Sequence, residues 1–283
     1  MTYNNSQAYT GIMKYSNPKI AVITPCYTES DDYLLDCFTS VKNQGLTNVS
    51  HFFISDGTSL SILDTLPIRH IKLDTTHNDN GNTPRAIGSL LAIAENFDFI
   101  TYLDADNYYL DNHLASMVDL FSIRKYDVVS SLRVFLDLYG KVIPYNKSKE
   151  NRGTHIDTSC FMLGRKAFPF ATIWASMPKP LSPVCDRVFL QKLFLSGLRV
   201  GSTKQKTVAF RSQYKMHYEE TGMDLSNYRN LKDLGNIIKD IDAYLNSDES
   251  FDECISALGY HPTTESLISQ QLCVRNMEEN SFF

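Results

Sequence analysis

Residues 97–118 read FDFITYLDADNYYLDNHLASMV. The run Asp98–Leu103 (DFITYL) is short, apolar and β-rich, which predicts a strand. It ends in Asp104-Ala105-Asp106-Asn107, and an apolar helix-spaced stretch follows. In extended chain, residues two apart point the same way, so Asp104 and Asp106 can both face one ion. Carboxylate oxygens suit the hard cations Mg²⁺ and Mn²⁺, which bridge proteins to substrate phosphates. Taken alone, an Asp-x-Asp tripeptide more often just caps the following turn and helix, so its neighbours decide.

Upstream, strand and helix signals alternate. Lys19–Thr24 (KIAVIT) predicts a first strand, followed by Pro25 and a polar turn. Residues 30–43 begin with Ser and Asp and carry Leu34, Leu35, Phe38 and Val41 at helical spacing. Val49–Ser55 predicts a second strand ending at Asp56-Gly57, and His70–Leu73 a brief third. Thr83–Glu95 predicts a helix with a Thr cap and Pro at its first position. This order implies right-handed βαβ units on a mostly parallel sheet covered by helices on both faces. From about Leu132 to Tyr145 the pattern is less regular. Strand and helix signals return at 154–163, 184–195 and 207–212, and amphipathic helix-like segments follow Tyr218.

In open parallel sheets, ligands bind beyond the carboxyl ends of the strands. Three such ends here would gather Thr24-Pro25-Cys26-Tyr27, Ser55-Asp56-Gly57 and the Asp104/Asp106 pair at one rim.

That set resembles glycosyltransferase family 2, nucleotide-sugar-dependent enzymes of GT-A fold. VITPCYTES resembles the family's first strand and its P-x-Y turn, ISDG its second-strand Asp motif, and residues 97–118 its DxD segment. The resemblance covers roughly residues 19–218. It implies a GT-A domain there, with a nucleotide-sugar half at 19–110 and an acceptor half at 111–218. An N-terminal extension (1–18) and an acidic helical region (219–283) would flank it.

The resemblance also implies roles. Pro25 shapes the first turn, Tyr27 stacks on uracil, and Asp56 accepts from the base. Arg85, in NTPRAIGS, approaches the diphosphate at a helix start. Asp104 and Asp106, with His217 from QYKMHY, hold Mn²⁺ or Mg²⁺. Asp186, in LSPVCDRVFLQKLFLSG, takes the ED-type position of the general base, although Cys185 replaces the acid that commonly precedes it. Asp157, in HIDTSCFMLGRKAF, and the single Trp174 face the acceptor. Each also has a plain structural reading: a solvated helix-start cation for Arg85, a turn residue for Asp157, a cap paired with Arg187 for Asp186, a packing residue for His217 and a loop anchor for Trp174.

The implied reaction is inverting transfer from a UDP-sugar to a hydroxyl of a glycan or lipid-linked acceptor, in bacterial surface-glycan assembly. A sugar-phosphate nucleotidyltransferase would carry a Gly-rich first loop, whereas TPCYTES has no Gly. A non-catalytic binding module would not need Asp104, Asp106 and Asp186 together.

Composition agrees with an enzyme and excludes other classes. Across 283 residues, 43% are hydrophobic and 21% charged, which excludes collagen-like and disordered chains. A net charge of −5 excludes a global field for nucleic acid. It divides unevenly: residues 219–283 hold 13 acids and 4 bases. The seven bases and no acid of 187–215 suggest a basic face for anionic donors or phospholipid. The acidic end would pack on the domain or mediate self-association. No stretch reaches 18 apolar residues, and the beginning of the chain lacks a signal-peptide core. The six scattered cysteines then read as reduced core thiols in a cytoplasmic protein, peripheral at most to the inner face of the plasma membrane.

Overall fold

In a computed structural model, described for residue 15, residues 17–145 and residues 155–269, the chain forms an eight-stranded sheet with helices on both sides. The elements are β1 (Ile20–Cys26), α1 (Asp31–Lys42), β2 (Val49–Ser55), β3 (Arg69–Lys72), α2 (Asn82–Ala94), β4 (Phe99–Tyr102), β5 (Tyr108–Tyr109), α3 (His113–Ile123), β6 (Val128–Leu136), β7 (Phe161–Gly164), α4 (Ile173–Ser176), α5 (Cys185–Leu195), β8 (Val200–Arg211), α6 (Lys215–Glu219), α7 (Leu234–Leu245), α8 (Asp248–Leu258) and α9 (Thr264–Ser269). The strand order is β3-β2-β1-β4-β7-β6-β8-β5.

The first four strands are parallel, as the alternating pattern predicts, with β1 between β2 and β4. Every residue of β1 is buried, which explains why KIAVIT reads as a continuous apolar run. Pro25 is tolerated in this central strand because β4 pairs only with Ile20–Ile23. On that side no ladder bond is lost where proline lacks its N–H. The strand order reverses between β1 and β4, so the crevice at their carboxyl ends is the topological switch point.

Beyond β4 the sheet is mixed. β7 runs antiparallel to both β4 and β6, and β6 pairs in parallel with β8. The stretch expected to be irregular from Leu132 is therefore strand as far as Leu136. Its alternation is masked because nearly all of β6 is buried.

Two helix starts differ instructively. At α1 the predicted cap holds, with Ser30 Oγ accepting the Tyr33 N–H at 3.4 Å and Asp31 and Asp32 in the first turn. At α2 Thr83 is not the cap. Gly81 takes that position at φ +79°, and the Asp79 carboxylate accepts from both Thr83 N (2.9 Å) and Thr83 Oγ1 (2.7 Å). A Cβ at Gly81 would stand 2.8 Å from Pro25 Cβ, so two constraints select glycine here.

The acidic C-terminal region is not a detached appendage. Ile241, Leu245, Cys254, Leu258 and Leu267 belong to the same core cluster as β1 and β4. Polar ties reinforce the packing: Lys192 Nζ donates to Leu258 O at 2.6 Å, Arg187 Nη1 to Leu267 O at 3.1 Å, and Tyr260 OH to Val188 O at 3.1 Å. Lys192 thus meets the carbonyl end of α8, where a cation is favoured. The bases of 187–215 accordingly do not make one basic face. Arg187 and Lys192 hold the C-terminal helices, Arg199 pairs with Asp127, Arg211 with Asp36 and Lys215 with Glu219. The five described cysteines are all buried. Among the described residues, no helix is long and apolar enough to cross a membrane.

Gly81→Ala should lower unfolding stability by about 1–3 kcal/mol, from left-handed strain plus the Pro25 contact. Urea denaturation with an unchanged midpoint would reject both constraints.

Candidate functional site

The carboxyl ends of β1, β2 and β4 open into one cavity of about 960 Å³. Pro25, Tyr27, Asp56, Arg85, Asp104, Asp106, Asp157, Asp186 and His217 all line it.

Each group is held by its own segment. Tyr27 follows β1 and is 45% exposed, with its ring unburied at the mouth. Asp56 is buried and organises the loop after β3. It accepts from His77 N (3.1 Å), His77 Nδ1 (2.7 Å) and Asn78 N (3.2 Å). Gly57, at φ +73°, lets that loop lie against the strand end.

Arg85 is not the solvated cation that a helix start suggests. It is 3% exposed. Its Nη2 reaches Asp104 Oδ1 at 2.6 Å, and its Nη1 donates to Asn80 O at 2.8 Å. The guanidinium therefore joins the start of α2 to the end of β4 with a charge-assisted bond. Its Nε finds no hydrogen-bond partner. Asp104 N donates to Ser159 Oγ at 3.1 Å, which anchors the Asp-x-Asp segment to the turn before β7.

Asp106 occupies a more crowded place. Gln213 Nε2 donates to its Oδ2 at 2.9 Å, and Arg211 Nη1 to its backbone carbonyl at 2.7 Å. Burial, then the negative charges of Asp104 and Glu29, push its carboxyl up to about 7. Glu29 is also raised, chiefly by burial. Three acids thus compete for one small region.

Asp186 lies in the first turn of α5. Its Oδ1 accepts the Arg187 N–H at 2.8 Å and its Oδ2 meets His155 Nε2 at 2.7 Å. Burial alone would raise this carboxyl, but His155, Arg187 and Arg133 hold it down to about 2. Burial lowers His155 itself, against the pull of Asp186, so the imidazole is neutral at ordinary pH. Asp157 accepts Arg133 Nη1 at 2.6 Å and the Ser159 N–H at 3.0 Å. It is the turn residue of its alternative reading, while one edge still lines the cavity.

Two expected site residues are placed differently. Trp174 is 1% exposed, stacks on Phe189 at 4.2 Å and meets Tyr102 edge-on at 5.5 Å. It is a core residue beneath the site and faces no acceptor, because its large apolar ring fills the space between α4 and α5. His217 lines the cavity, but its Nδ1 is tied to Ser212 Oγ at 2.6 Å among Phe135, Tyr145 and Tyr214. Burial there lowers it to about 3. Among the described residues, no three His, Cys, Asp or Glu side chains converge to hold a metal. In this structure His217 therefore does not join the Asp104/Asp106 pair.

Sequence reasoning missed His155, Glu29, Gln213 and the C-terminal wall, where Lys232, Asp233 and Asn236 line the cavity. A signal existed for His155: it stands two residues before Asp157 in an extended stretch, the spacing that puts two side chains on one side. None existed for residues 232–240. They reach the site through a β-bridge between Tyr214 and Lys232.

The model of the family described as glycosyl transferase family 2 matches residues 21–171. Crystal structures of S. aureus TarS show a similar fold. TarS 1–349 with UDP superposes at a TM-score of 0.56 and 15% identity, covering 94% of this chain and 72% of that one. The UDP-GlcNAc complex gives 0.52 and 13%, covering 89% and 74%. No curated protein matches the chain in sequence. With a match over more than half of its length, the chain belongs to glycosyl transferase family 2 and is a transferase of GT-A-like fold.

Because folding raises Asp106, metal-free stability should fall as pH rises from about 4 through 7, where the unfolded chain has released a proton that the folded one retains. Asp106→Asn should remove that slope and stabilise the metal-free protein at pH 8 by on the order of 1–4 kcal/mol. Equal slopes for both proteins in thermal melts with chelator would refute the crowding.

Proposed function

We propose that the chain transfers a sugar from a UDP-sugar to a hydroxyl of a glycan or lipid-linked acceptor, with inversion at the anomeric carbon. The observation that carries this reading is the set of charged groups gathered in one cavity. Arg85, Asp104 and Asp106 line it together with Tyr27 and Asp56, and so does Asp186 at the start of α5. The UDP and UDP-GlcNAc complexes of TarS support a uridine nucleotide in that cavity.

On the donor side, the open Tyr27 ring offers a face for uracil, and Asp56 with its ordered loop forms the slot's other wall. Arg85 brings a fixed positive charge to the diphosphate, already oriented by Asp104 and Asn80. Mn²⁺ or Mg²⁺ fits the pair Asp104/Asp106. Burial, then the charges of Asp104 and Glu29, drive Asp106 to about 7, a state that a divalent cation would relieve, and diphosphate oxygens could complete a shell that the two carboxylates begin. When bound, such an ion supplies charge neutralisation for the departing UDP.

On the acceptor side, Asp186 receives the hydroxyl proton as oxygen attacks the anomeric carbon. The bond to UDP breaks with its electron pair leaving on the diphosphate, and the single displacement inverts the centre. Cys185, in the position where relatives commonly carry an acid, cannot share this work. Burial holds its thiol up at about 12.

Isothermal calorimetry should show UDP binding that tightens at least tenfold with Mn²⁺, and Asp104→Ala should abolish the gain. Metal-independent binding by the native protein would remove the Asp104/Asp106 role. Asp186→Asn should cut turnover of a UDP-sugar roughly 10²–10⁴-fold with UDP affinity nearly unchanged, and retained turnover would remove Asp186 as base.

A further inference from the structure

We propose that His155 is a positioning residue for Asp186, fixing the carboxylate from the segment before β7 so that the proton-accepting oxygens face the acceptor hydroxyl. The inference rests on the reading of Asp186 as the base and adds a second residue to that function.

A carboxylate in the first turn of a helix is drawn back onto the helix's own unsatisfied N–H groups. Asp186 shows half of this behaviour, since Oδ1 accepts the Arg187 N–H at 2.8 Å. Left to that contact alone, the group could rotate about its side-chain bonds and settle as an ordinary cap. The second contact prevents it. His155 Nε2 reaches Oδ2 at 2.7 Å from the segment before β7, a part of the chain 31 residues away. Two contacts from two elements fix the plane of the carboxylate. Both residues line the cavity, and the side chains are 14% and 16% exposed.

The protonation states follow from the surroundings. The charged and titratable groups acting on Asp186 are His155, Arg187 and Arg133, with Tyr214 and Cys185 adjoining. Arg187, Arg133 and burial all oppose protonation of His155. A neutral imidazole facing a carboxylate must carry its proton on Nε2, which assigns the tautomer from the partner. His155 thus donates to Asp186 throughout. In the transfer step the acceptor O–H bond breaks, its oxygen bonds to the anomeric carbon, and the proton comes to rest on Asp186. His155 neither gains nor loses one.

Removing the donor frees the carboxylate to turn and raises its affinity for protons. His155→Ala should therefore lower kcat on the order of 10- to 100-fold, with KM for the UDP-sugar little changed. It should also move the acid limb of the kcat–pH profile to higher pH, because Asp186 would now protonate at higher pH than in the native protein. His155→Gln, which can place an amide N–H near the former Nε2, should restore most of kcat and return the limb. UDP calorimetry on each variant certifies the fold independently of turnover. If His155→Ala does not bind UDP, the His155→Gln and His155→Asn profiles carry the comparison, with Gln expected to be the more active. Unchanged kcat and an unmoved limb in His155→Ala, or equal loss in the Gln variant, would overturn the proposal. Asp186→Asn measured alongside separates the two claims. If it stays active, the base assignment fails. If it is inactive while His155→Ala behaves as native, only the positioning role fails.

Discussion

The 2.6 Å ion pair between Arg85 and Asp104 is the contact on which the site's geometry depends. It closes the gap between the start of α2 and the end of β4, the two chain segments that meet at the switch point of the sheet. A guanidinium as buried as this one costs several kcal/mol to desolvate, and the pair offsets that cost only while the geometry is held. The geometry is held by backbone. Gly81 turns left-handed against Pro25, Asp79 caps the helix through Thr83, and Ser159 accepts the Asp104 N–H. Disturbing any of these would move a charge meant for the donor.

A concentration of negative charge accompanies that pair. Glu29, Asp104 and Asp106 crowd one side of the cavity, with a single buried arginine paired among them. In water such a cluster would simply repel. At a cavity wall, burial together with that repulsion keeps a proton on Asp106, a form of stored preference for a cation. Asp186 meets the opposite constraint. Asp186 is kept as a carboxylate by neighbours that donate or carry positive charge. Asp106 and Asp186, in one cavity, are thus driven apart in proton affinity, which is the arrangement acid–base division of labour requires.

Much of this was legible in the residues. β2 falls at Val49–Ser55 as predicted, β1 and β4 within two residues of their predicted ends, because apolar runs between turn residues specify buried parallel strands directly. The rim of Pro25, Tyr27, Asp56, Asp104 and Asp106 follows from strand ends alone. The cap of α2 was not legible, because Thr-Pro is a sound helix start locally and only the Gly81–Pro25 contact overrides it. Trp174 was misplaced for a related reason: a lone tryptophan in a loop-rich stretch carries no sign of facing inward. The acidic end packs on the domain, one of its two expected roles, through residues that its bulk charge does not reveal. Its helices present Ile241, Leu245, Cys254 and Leu258 to the core at helical spacing, and their acids face outward, so net charge recorded the solvated face and hid the packed one. Distant pairings such as His155 with Asp186 or Gln213 with Asp106 lie beyond any local pattern. They exist because the sheet brings separate strand ends together.

The central claim is that one cavity holds a donor diphosphate against Arg85 and Asp104/Asp106, with its sugar directed toward Asp186. A crystal structure of the protein with UDP and Mn²⁺ tests this most directly. The account predicts uracil against Tyr27 and Asp56, diphosphate oxygens within hydrogen-bond reach of Arg85, and an ion shared between the diphosphate and the Asp104/Asp106 carboxylates. UDP bound elsewhere, or in this cavity with its diphosphate turned away from those three residues, would contradict it.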